Sequence, residues 1–122
     1  MCGIFAILNN DRTYTNDIVE HAFNQGQRRG PDNSALSRKG DLLTMGFHRL
    51  SINGLDSNSG QPITINNVSL ICNGEIYNYK ELYSELDIEP TTNSDCEIII
   101  HLYIKDGIEH TLRLLDGVFS FV

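Results

Sequence analysis

The sequence predicts a small domain of the α+β class, in which helices and short antiparallel strands follow one another along the chain. The segment "GIFAIL" is apolar almost throughout and precedes the turn-prone Asn9-Asn10-Asp11, which predicts a short buried strand. Strands around "SALSR" and "LLTMGFHRL" are joined at Lys39-Gly40-Asp41, which has the composition of a hairpin turn. Apolar residues recur at helical spacing in other segments, so helices are expected beside these strands.

The first helix is predicted within "TNDIVEHAFNQ". Thr15 or Asn16 is the expected N-cap residue, and "RRGPDN" must end the helix because Gly30 and Pro31 cannot continue it. The spacing places four apolar residues on one helical face: Ile18, Val19, Ala22 and Phe23.

The second half of the chain begins with the polar loop "NGLDSNSGQP", followed by "ITI", an Asn66-Asn67 turn and the strand "VSLIC". A helix is predicted from Lys80 to Leu86, with Leu82, Tyr83 and Leu86 on its apolar side.

Another helix is expected near Ser94, because Ser94 and Glu97 form a capping-box pattern ahead of "IIIHLYI". A fourth, short helix is predicted from about Glu109 to Leu115, before the strand-like ending "GVFSFV". An apolar strand with nothing after it is an aggregation hazard, so we expect the sequence to stop part-way through a larger domain. A self-contained small protein with a well-paired last strand is the alternative.

Composition excludes several classes of function. The chain has 122 residues, 40% hydrophobic and 20% charged, which is the balance of a folded globular domain. Its net charge of -7 disfavours nucleic-acid and anionic-membrane partners, because phosphates would be repelled. No apolar run approaches the roughly 20 residues that cross a bilayer, and the short apolar start lacks the basic flank of a signal peptide.

The cysteines and histidines form no metal or disulfide pattern. Cys2, Cys72 and Cys96 are odd in number and match no zinc spacing, which indicates free thiols in a reducing cytoplasm. The histidines share no ligand spacing and are expected to be structural or solvent-exposed: His21, His48, His101 and His110. No metal site is therefore predicted.

Cys2 is the first candidate for chemistry. Its small side chain permits removal of the initiator methionine, after which one residue carries both a thiol and a free α-amine. An α-amine with a pKa of about 7.7–8.0 can accept the thiol proton near neutral pH. Such a residue is an activated N-terminal nucleophile suited to acyl transfer. The alternative for a lone cysteine is an inert buried side chain.

Acyl transfer also needs donors for an oxyanion, and "CNGEIYN" supplies two. Asn73 could donate from its side-chain amide, and Gly74 from a backbone N–H with no Cβ in the way. An Asn-Gly pair can equally be a simple turn. For an amino-acid substrate, Arg49 is a candidate carboxylate clamp and Asp95 a candidate ammonium ligand, with Glu75 in support; surface charges or helix caps are the alternatives.

Taken together, the motifs resemble those of class II glutamine amidotransferase domains, most closely the glutaminase domain of glutamine-hydrolysing asparagine synthetases. The resemblance covers essentially all of residues 1–122 and is carried by "MCGIFAI", "RRGPD", "HRLSI", "QPI", "NGEIYNY", "SDCEIII" and "LDGVFSF", in the family's order and approximate spacing. It implies an αββα sandwich of the N-terminal-nucleophile hydrolase type, with two antiparallel sheets between helical layers and incomplete at its C-terminus.

The resemblance also implies roles for individual residues. Cys2 is the nucleophile, and Asn73 and Gly74 form the oxyanion hole. Arg29 orders the loop around the terminal cysteine. The glutamine molecule is held by Arg49, with backbone from Leu50 and Ile52, and by Glu75 and Asp95.

What the resemblance implies for partners follows from these roles. Glutamine is the expected substrate, and a synthetase domain or subunit is the expected ammonia acceptor. Glutamine hydrolysis needs no cofactor, whereas ATP and Mg are expected only for the synthetase domain, whose phosphate-binding loop has no counterpart in residues 1–122. A homodimer is compatible with the family. A non-catalytic remnant or regulatory module is the alternative to an active enzyme.

Overall fold

The computed structural model describes residues 2–51 and 60–122. The elements in chain order are β1 (Gly3–Leu8), α1 (Asn16–Asn24), β2 (Asn33–Lys39), β3 (Leu43–Arg49), β4 (Ile63–Ile65), β5 (Val68–Leu70), β6 (Cys72–Ile76), α2 (Tyr79–Leu86), α3 (Ile98–Leu114) and β7 (Gly117–Phe121). Short 3-10 turns cover Gln27–Arg29 and Asp95–Glu97. The predicted strands and helices are present with ends that differ by a few residues, except that the predicted strand "VSLIC" stops at Leu70 and Cys72 begins the separate strand β6, which the sequence did not predict.

The strands pair antiparallel throughout the described residues. β3 lies between β1 and β2 in a three-stranded sheet, β4 pairs with β5, and β6 pairs with β7. Asn66 and Asn67 both have positive φ (48° and 66°) in the tight turn between β4 and β5, a conformation that asparagine tolerates. The predicted turn around Gly40 joins β2 to β3.

Helix α1 covers one face of the three-stranded sheet. Phe23 stacks on His48, with ring centroids 4.0 Å apart, and meets Phe5 edge-on. Val19 is buried as predicted, but Ala22 is exposed and Ile18 is 52% exposed. The helical spacing correctly indicated an apolar face, and the sheet covers only half of it.

The opposite face of this sheet packs on the segment that connects β5 to β6. Because side chains alternate along a strand, Met45 and Phe47 point away from α1. They form a buried cluster with Ile71, and Cys2 and Ile4 pack at its edge. Cys2 is thereby brought to the junction of the two β-structures.

Helices α2 and α3 cover the other side of β4 to β7. Leu82 and Tyr83 are buried in this larger core, as predicted, together with Ile98, Ile99, Ile100 and Leu102. Gly107, at φ 76° and ψ 179°, interrupts α3. The interruption accounts for the two separate helices that the sequence predicts in this region.

The predicted capping box is only half formed. The Ser94 hydroxyl accepts a hydrogen bond from the Cys96 N–H at 3.3 Å, as an N-cap should. The Glu97 carboxylate does not return to the backbone of Ser94, and it binds the backbone N–H groups of Thr91 and Thr92 at 2.8 and 2.6 Å. Glu97 is therefore a buried anchor for the preceding loop.

The described residues form a mixed structure of helices and antiparallel sheets, in agreement with the α+β class. Helix α1 packs on the β1–β3–β2 sheet, and α2 and α3 pack on the β-structure that includes β6. The specific N-terminal-nucleophile hydrolase sandwich stays an expectation drawn from the resemblance.

Candidate functional site

A cavity of about 240 Å³ lies where β1, β3, β6 and the loop before α3 meet. Seven of the nine residues singled out from the sequence line it: Cys2, Arg49, Leu50, Asn73, Gly74, Glu75 and Asp95. They come from four separate parts of the chain. The fold therefore gathers the predicted nucleophile, oxyanion donors and charged groups around one space.

The Cys2 sulfur is held by the backbone of Leu50. The Leu50 N–H donates to Cys2 Sγ at 3.4 Å, and the Cys2 thiol lies 3.6 Å from the Leu50 carbonyl oxygen. Cys2 is half-buried, so its sulfur is both oriented and accessible from the cavity. These two backbone contacts fix the direction in which the sulfur faces the cavity.

The backbone of β6 presents a peptide N–H to the same cavity. Ile71 and Val122 exchange two backbone hydrogen bonds, each 3.0 Å long, at one end of the β6–β7 ladder. Hydrogen-bonded and non-hydrogen-bonded pairs alternate along such a ladder. Gly74, which lies opposite Phe119, falls in a non-hydrogen-bonded pair. Its N–H therefore points to the edge away from β7.

Side chains occupy this outer edge of β6 on both sides of Gly74. The Cys72 N–H donates to Gln61 Oε1, and the Ile76 N–H donates to Asp95 Oδ2 at 2.6 Å. No second strand pairs with this edge within residues 2–51 and 60–122. The Gly74 peptide lies between two anchored positions and lines the cavity.

The close packing of β7 requires glycine at position 74, which the sequence did not indicate. A Cβ built at this position would lie 2.4 Å from the Val118 carbonyl oxygen and 2.5 Å from Phe119 Cα. Glycine is therefore required so that β7 can pack closely. The sequence predicts that the missing Cβ clears space for an oxyanion, whereas in the structure it clears space for β7.

Asn73 and Glu75 point to the side of β6 that faces Cys2. Cys72 and Ile76 lie in the core beneath the helices. Because strand side chains alternate between the two faces, Asn73 and Glu75 lie on the opposite face. Asn73 is half-buried and Glu75 is exposed at the cavity mouth.

The cavity combines one cation with two carboxylates. Arg49 lies at the end of β3, and Glu75 and Asp95 approach from β6 and from the 3-10 turn before α3. A guanidinium binds a carboxylate through a planar pair of N–H groups, while carboxylates accept from an ammonium group. The arrangement therefore has partners for both charged groups of a free amino acid.

The "RRGPD" segment positions the strand end that carries Arg49. A Cβ on Gly30 would lie 2.1 Å from the His48 carbonyl oxygen, so only glycine permits this close approach. The Asp32 carboxylate accepts from the Ser51 N–H at 2.7 Å, and the Asp32 N–H donates to the Arg49 carbonyl at 3.0 Å. These contacts hold the Arg49–Ser51 backbone beside Cys2.

One predicted site residue that the structure describes lies outside this cavity. Arg29 packs next to Gly3 and lines a second cavity of about 280 Å³ on the α1 side of β1, which Cys2 and Asn73 also border. Gly30 and Asp32 of the same segment contact the backbone that follows β3, and the loop-ordering role of Arg29 stays a prediction. Ile52 lies outside the described residues.

The other two cysteines also line the main cavity but differ from Cys2 in their surroundings. Cys72 and Cys96 are buried, and all three cysteines are free thiols. A hydrogen bond with the Cys72 side chain, together with burial, raises the pKa of Cys96 far above its usual range. Cys96 therefore stays a protonated thiol and is unsuited to nucleophilic attack.

Sequence reasoning gave no role to Gln61, which lines the cavity and binds β6. The available signal was a polar residue in "QPI", directly before an apolar strand. His48 is buried, with Nδ1 2.7 Å from Ser34 Oγ and Nε2 2.8 Å from the Phe23 carbonyl oxygen, so its role is structural. Within the described ranges, no cluster of three or more histidine, cysteine or acidic side chains could hold a metal, and no helix could span a membrane.

Comparison with known proteins gives a consistent result. Residues 1–122 match the sequence model of the glutamine amidotransferase domain. The chain is 39% identical over 128 aligned residues to the asparagine synthetase (glutamine-hydrolysing) of Mesocricetus auratus and to that of Rattus norvegicus. Identity to the Homo sapiens asparagine synthetase (glutamine-hydrolysing) is 38%. Each alignment covers 100% of the chain and 22% of the relative, so the chain spans about a fifth of these proteins' length.

Proposed function

This chain belongs to the glutamine amidotransferase domain family, and we propose that it hydrolyses the side-chain amide of glutamine to glutamate and ammonia. Cys2 is the nucleophile in this proposal. The observation that carries it is the position of the Cys2 sulfur and the outward-facing Gly74 N–H around one cavity. A nucleophile and an oxyanion donor that face the same space are the minimum for acyl transfer.

The substrate is oriented by its α-amino and α-carboxylate groups. Arg49 binds the carboxylate, supported by the backbone of Leu50 and Ile52. Glu75 and Asp95 bind the ammonium group. This orientation directs the side-chain amide towards Cys2. Holding the two reacting groups in a fixed geometry lowers the entropy cost of bringing them together.

The first half of the reaction forms a thioester. The free α-amine of Cys2 accepts the thiol proton, and the thiolate attacks the amide carbon. Asn73 and the Gly74 N–H stabilise the negative oxygen of the tetrahedral intermediate. The intermediate collapses, the carbon–nitrogen bond breaks, and the α-ammonium of Cys2 returns its proton to the departing ammonia.

The second half regenerates the thiol. Water loses a proton to the α-amine and attacks the γ-glutamyl thioester carbon. The same two donors hold the new oxyanion, and the Cys2 thiolate leaves and regains a proton. Glutamate is the product, and the chain's own residues complete this half-reaction without a cofactor.

The ammonia is supplied to an asparagine synthetase-type amidation. This step rests on the relatives, whose name is asparagine synthetase (glutamine-hydrolysing). ATP and Mg belong to the acceptor reaction in a synthetase domain or subunit, not to the cavity described above. The reaction takes place in the cytoplasm in this proposal.

A covalent probe tests the nucleophile directly. The protein, with its initiator methionine removed, is treated with a diazoketone analogue of glutamine and digested for peptide mass spectrometry. We expect one adduct, on Cys2, that glutamine suppresses and that Cys2→Ala abolishes. Cys72 and Cys96 serve as internal controls because both are buried. A folded sample with no adduct would support a non-catalytic remnant or regulatory module.

A further inference from the structure

The side-chain amide of Gln61 forms two hydrogen bonds with the backbone of one residue in β6. Gln61 Oε1 accepts from the Cys72 N–H, and Gln61 Nε2 donates to the Cys72 carbonyl oxygen at 3.1 Å. Gln61 is only 8% exposed. The amide thus pairs with Cys72 as a neighbouring strand would, and both of its polar atoms are satisfied.

This pairing takes place on the edge of β6 that faces the cavity. Cys72 lies opposite Phe121, in the same kind of non-hydrogen-bonded pair as Gly74. The peptide groups of Cys72 and Gly74 therefore point to the same edge. Fixing the first of these groups fixes the direction of the second, because only Asn73 separates them.

We propose that Gln61 is a positioning residue that sets the backbone of β6 so that Asn73 and Gly74 meet the oxyanion formed at Cys2. The inference rests on the proposed glutaminase function. Gln61 acts through β6 and need not touch the glutamine molecule. Because oxyanion contacts tighten in the transition state, loss of this anchor should lower kcat and leave KM nearly unchanged.

The test compares two replacements of Gln61 in the protein as expressed from its gene. Gln61→Met keeps the side-chain volume but removes both hydrogen bonds, and we expect kcat for glutamine hydrolysis to fall about 10- to 100-fold, with KM changing less than about threefold. Gln61→Glu keeps an acceptor for the Cys72 N–H. Its second oxygen faces the Cys72 carbonyl oxygen and cannot replace the bond from Nε2, so kcat should stay reduced.

A matched control separates positioning from general loss of stability. Thr111 is fully buried in α3, and its hydroxyl donates to the Gly107 carbonyl at 2.9 Å, away from the cavity. Thr111→Val should lower the melting temperature and leave kcat within about twofold of the unmodified protein, the scatter expected for a site that touches no reacting group.

Three results would overturn the proposal. These are a Gln61→Met kcat within about twofold of the unmodified value, a rise in KM with kcat preserved, or an equal loss of kcat in Thr111→Val at the same fraction folded. The outcome for Cys2 is read separately. If the unmodified protein does not hydrolyse glutamine, the proposed function fails; if Cys2→Ala retains the activity, the role of Cys2 fails. If Cys2→Ala is inactive and Gln61→Met is not impaired, only the role of Gln61 fails.

Discussion

The Asp95 carboxylate accepts a hydrogen bond from the backbone N–H of Ile76 across 2.6 Å. Ile76 ends β6, and Asp95 begins the 3-10 turn before α3. The residue proposed to bind the substrate ammonium is therefore also tied to the strand that carries the oxyanion donors. In this proposal, substrate binding and alignment of β6 depend on the same side chain.

Replacement of Asp95 should separate these two roles. Asp95→Asn keeps an oxygen for the Ile76 N–H but loses the charge, so KM for glutamine should rise about 10- to 100-fold with a smaller change in kcat. Asp95→Ala loses both interactions and should lower kcat as well. Steady-state glutaminase kinetics measure both effects. The exposed Asp116 provides the control, since Asp116→Asn should leave KM unchanged.

Gly74→Ala should damage the structure as well as the activity. The added methyl group would lie 2.4 Å from the Val118 carbonyl oxygen, so β6 and β7 must separate. We expect the free energy of unfolding to fall by about 1–3 kcal/mol, as in other overpacked sites, measured by urea denaturation. Glutaminase activity should be lost in the folded fraction.

Gly40→Ala is the matched control for this substitution. Gly40 has φ +61° and open space around its Cβ direction, so only backbone strain opposes the alanine. That strain costs about 1–2 kcal/mol. Stability should fall while kcat and KM stay unchanged, and equal losses of kcat in the two variants would contradict the placement of Gly74 at the site.

Glu97→Gln should destabilise the loop that leads to Asp95. The fully buried carboxylate accepts from the backbone N–H groups of Thr91 and Thr92 and lies 3.1 Å from His101 Nε2. An amide has one acceptor oxygen and cannot replace both carboxylate oxygens. The free energy of unfolding should fall by about 1.5–3 kcal/mol. The exposed Glu85→Gln should have little effect in the same urea titration.

The same residue predicts an acid dependence of stability. Burial alone would raise the pKa of Glu97, but hydrogen bonds from Thr91, Thr92 and His101 outweigh it and leave the pKa below its usual value. A lowered folded-state pKa means that the stabilisation is complete above the unfolded pKa of about 4.3 and is lost as pH falls through the folded pKa. We would measure the free energy of unfolding from pH 6 to pH 2, which is about the range of that loss. It should decrease less steeply with falling pH in Glu97→Gln than in the unmodified protein. Parallel curves would refute this.

The sequence by itself determined most of the local helices, strands and turns, and which side chains are chemically suited to a functional site. Turn chemistry at Asn66-Asn67 and helical spacing around Leu82 and Tyr83 predicted what the structure contains, because these signals depend on neighbours in the chain. A cysteine that could become the first residue also indicated a candidate nucleophile without reference to any partner.

The tertiary structure alone decided which side chains meet and which of two local options each residue takes. Ser94 and Glu97 fit a capping box in sequence, yet Glu97 binds Thr91 and Thr92, because folding buries it against that loop. The pairing of Gln61 with Cys72 spans 11 residues, and that of Cys2 with Leu50 spans 48. Such contacts depend on where whole strands pack, which residue spacing does not encode.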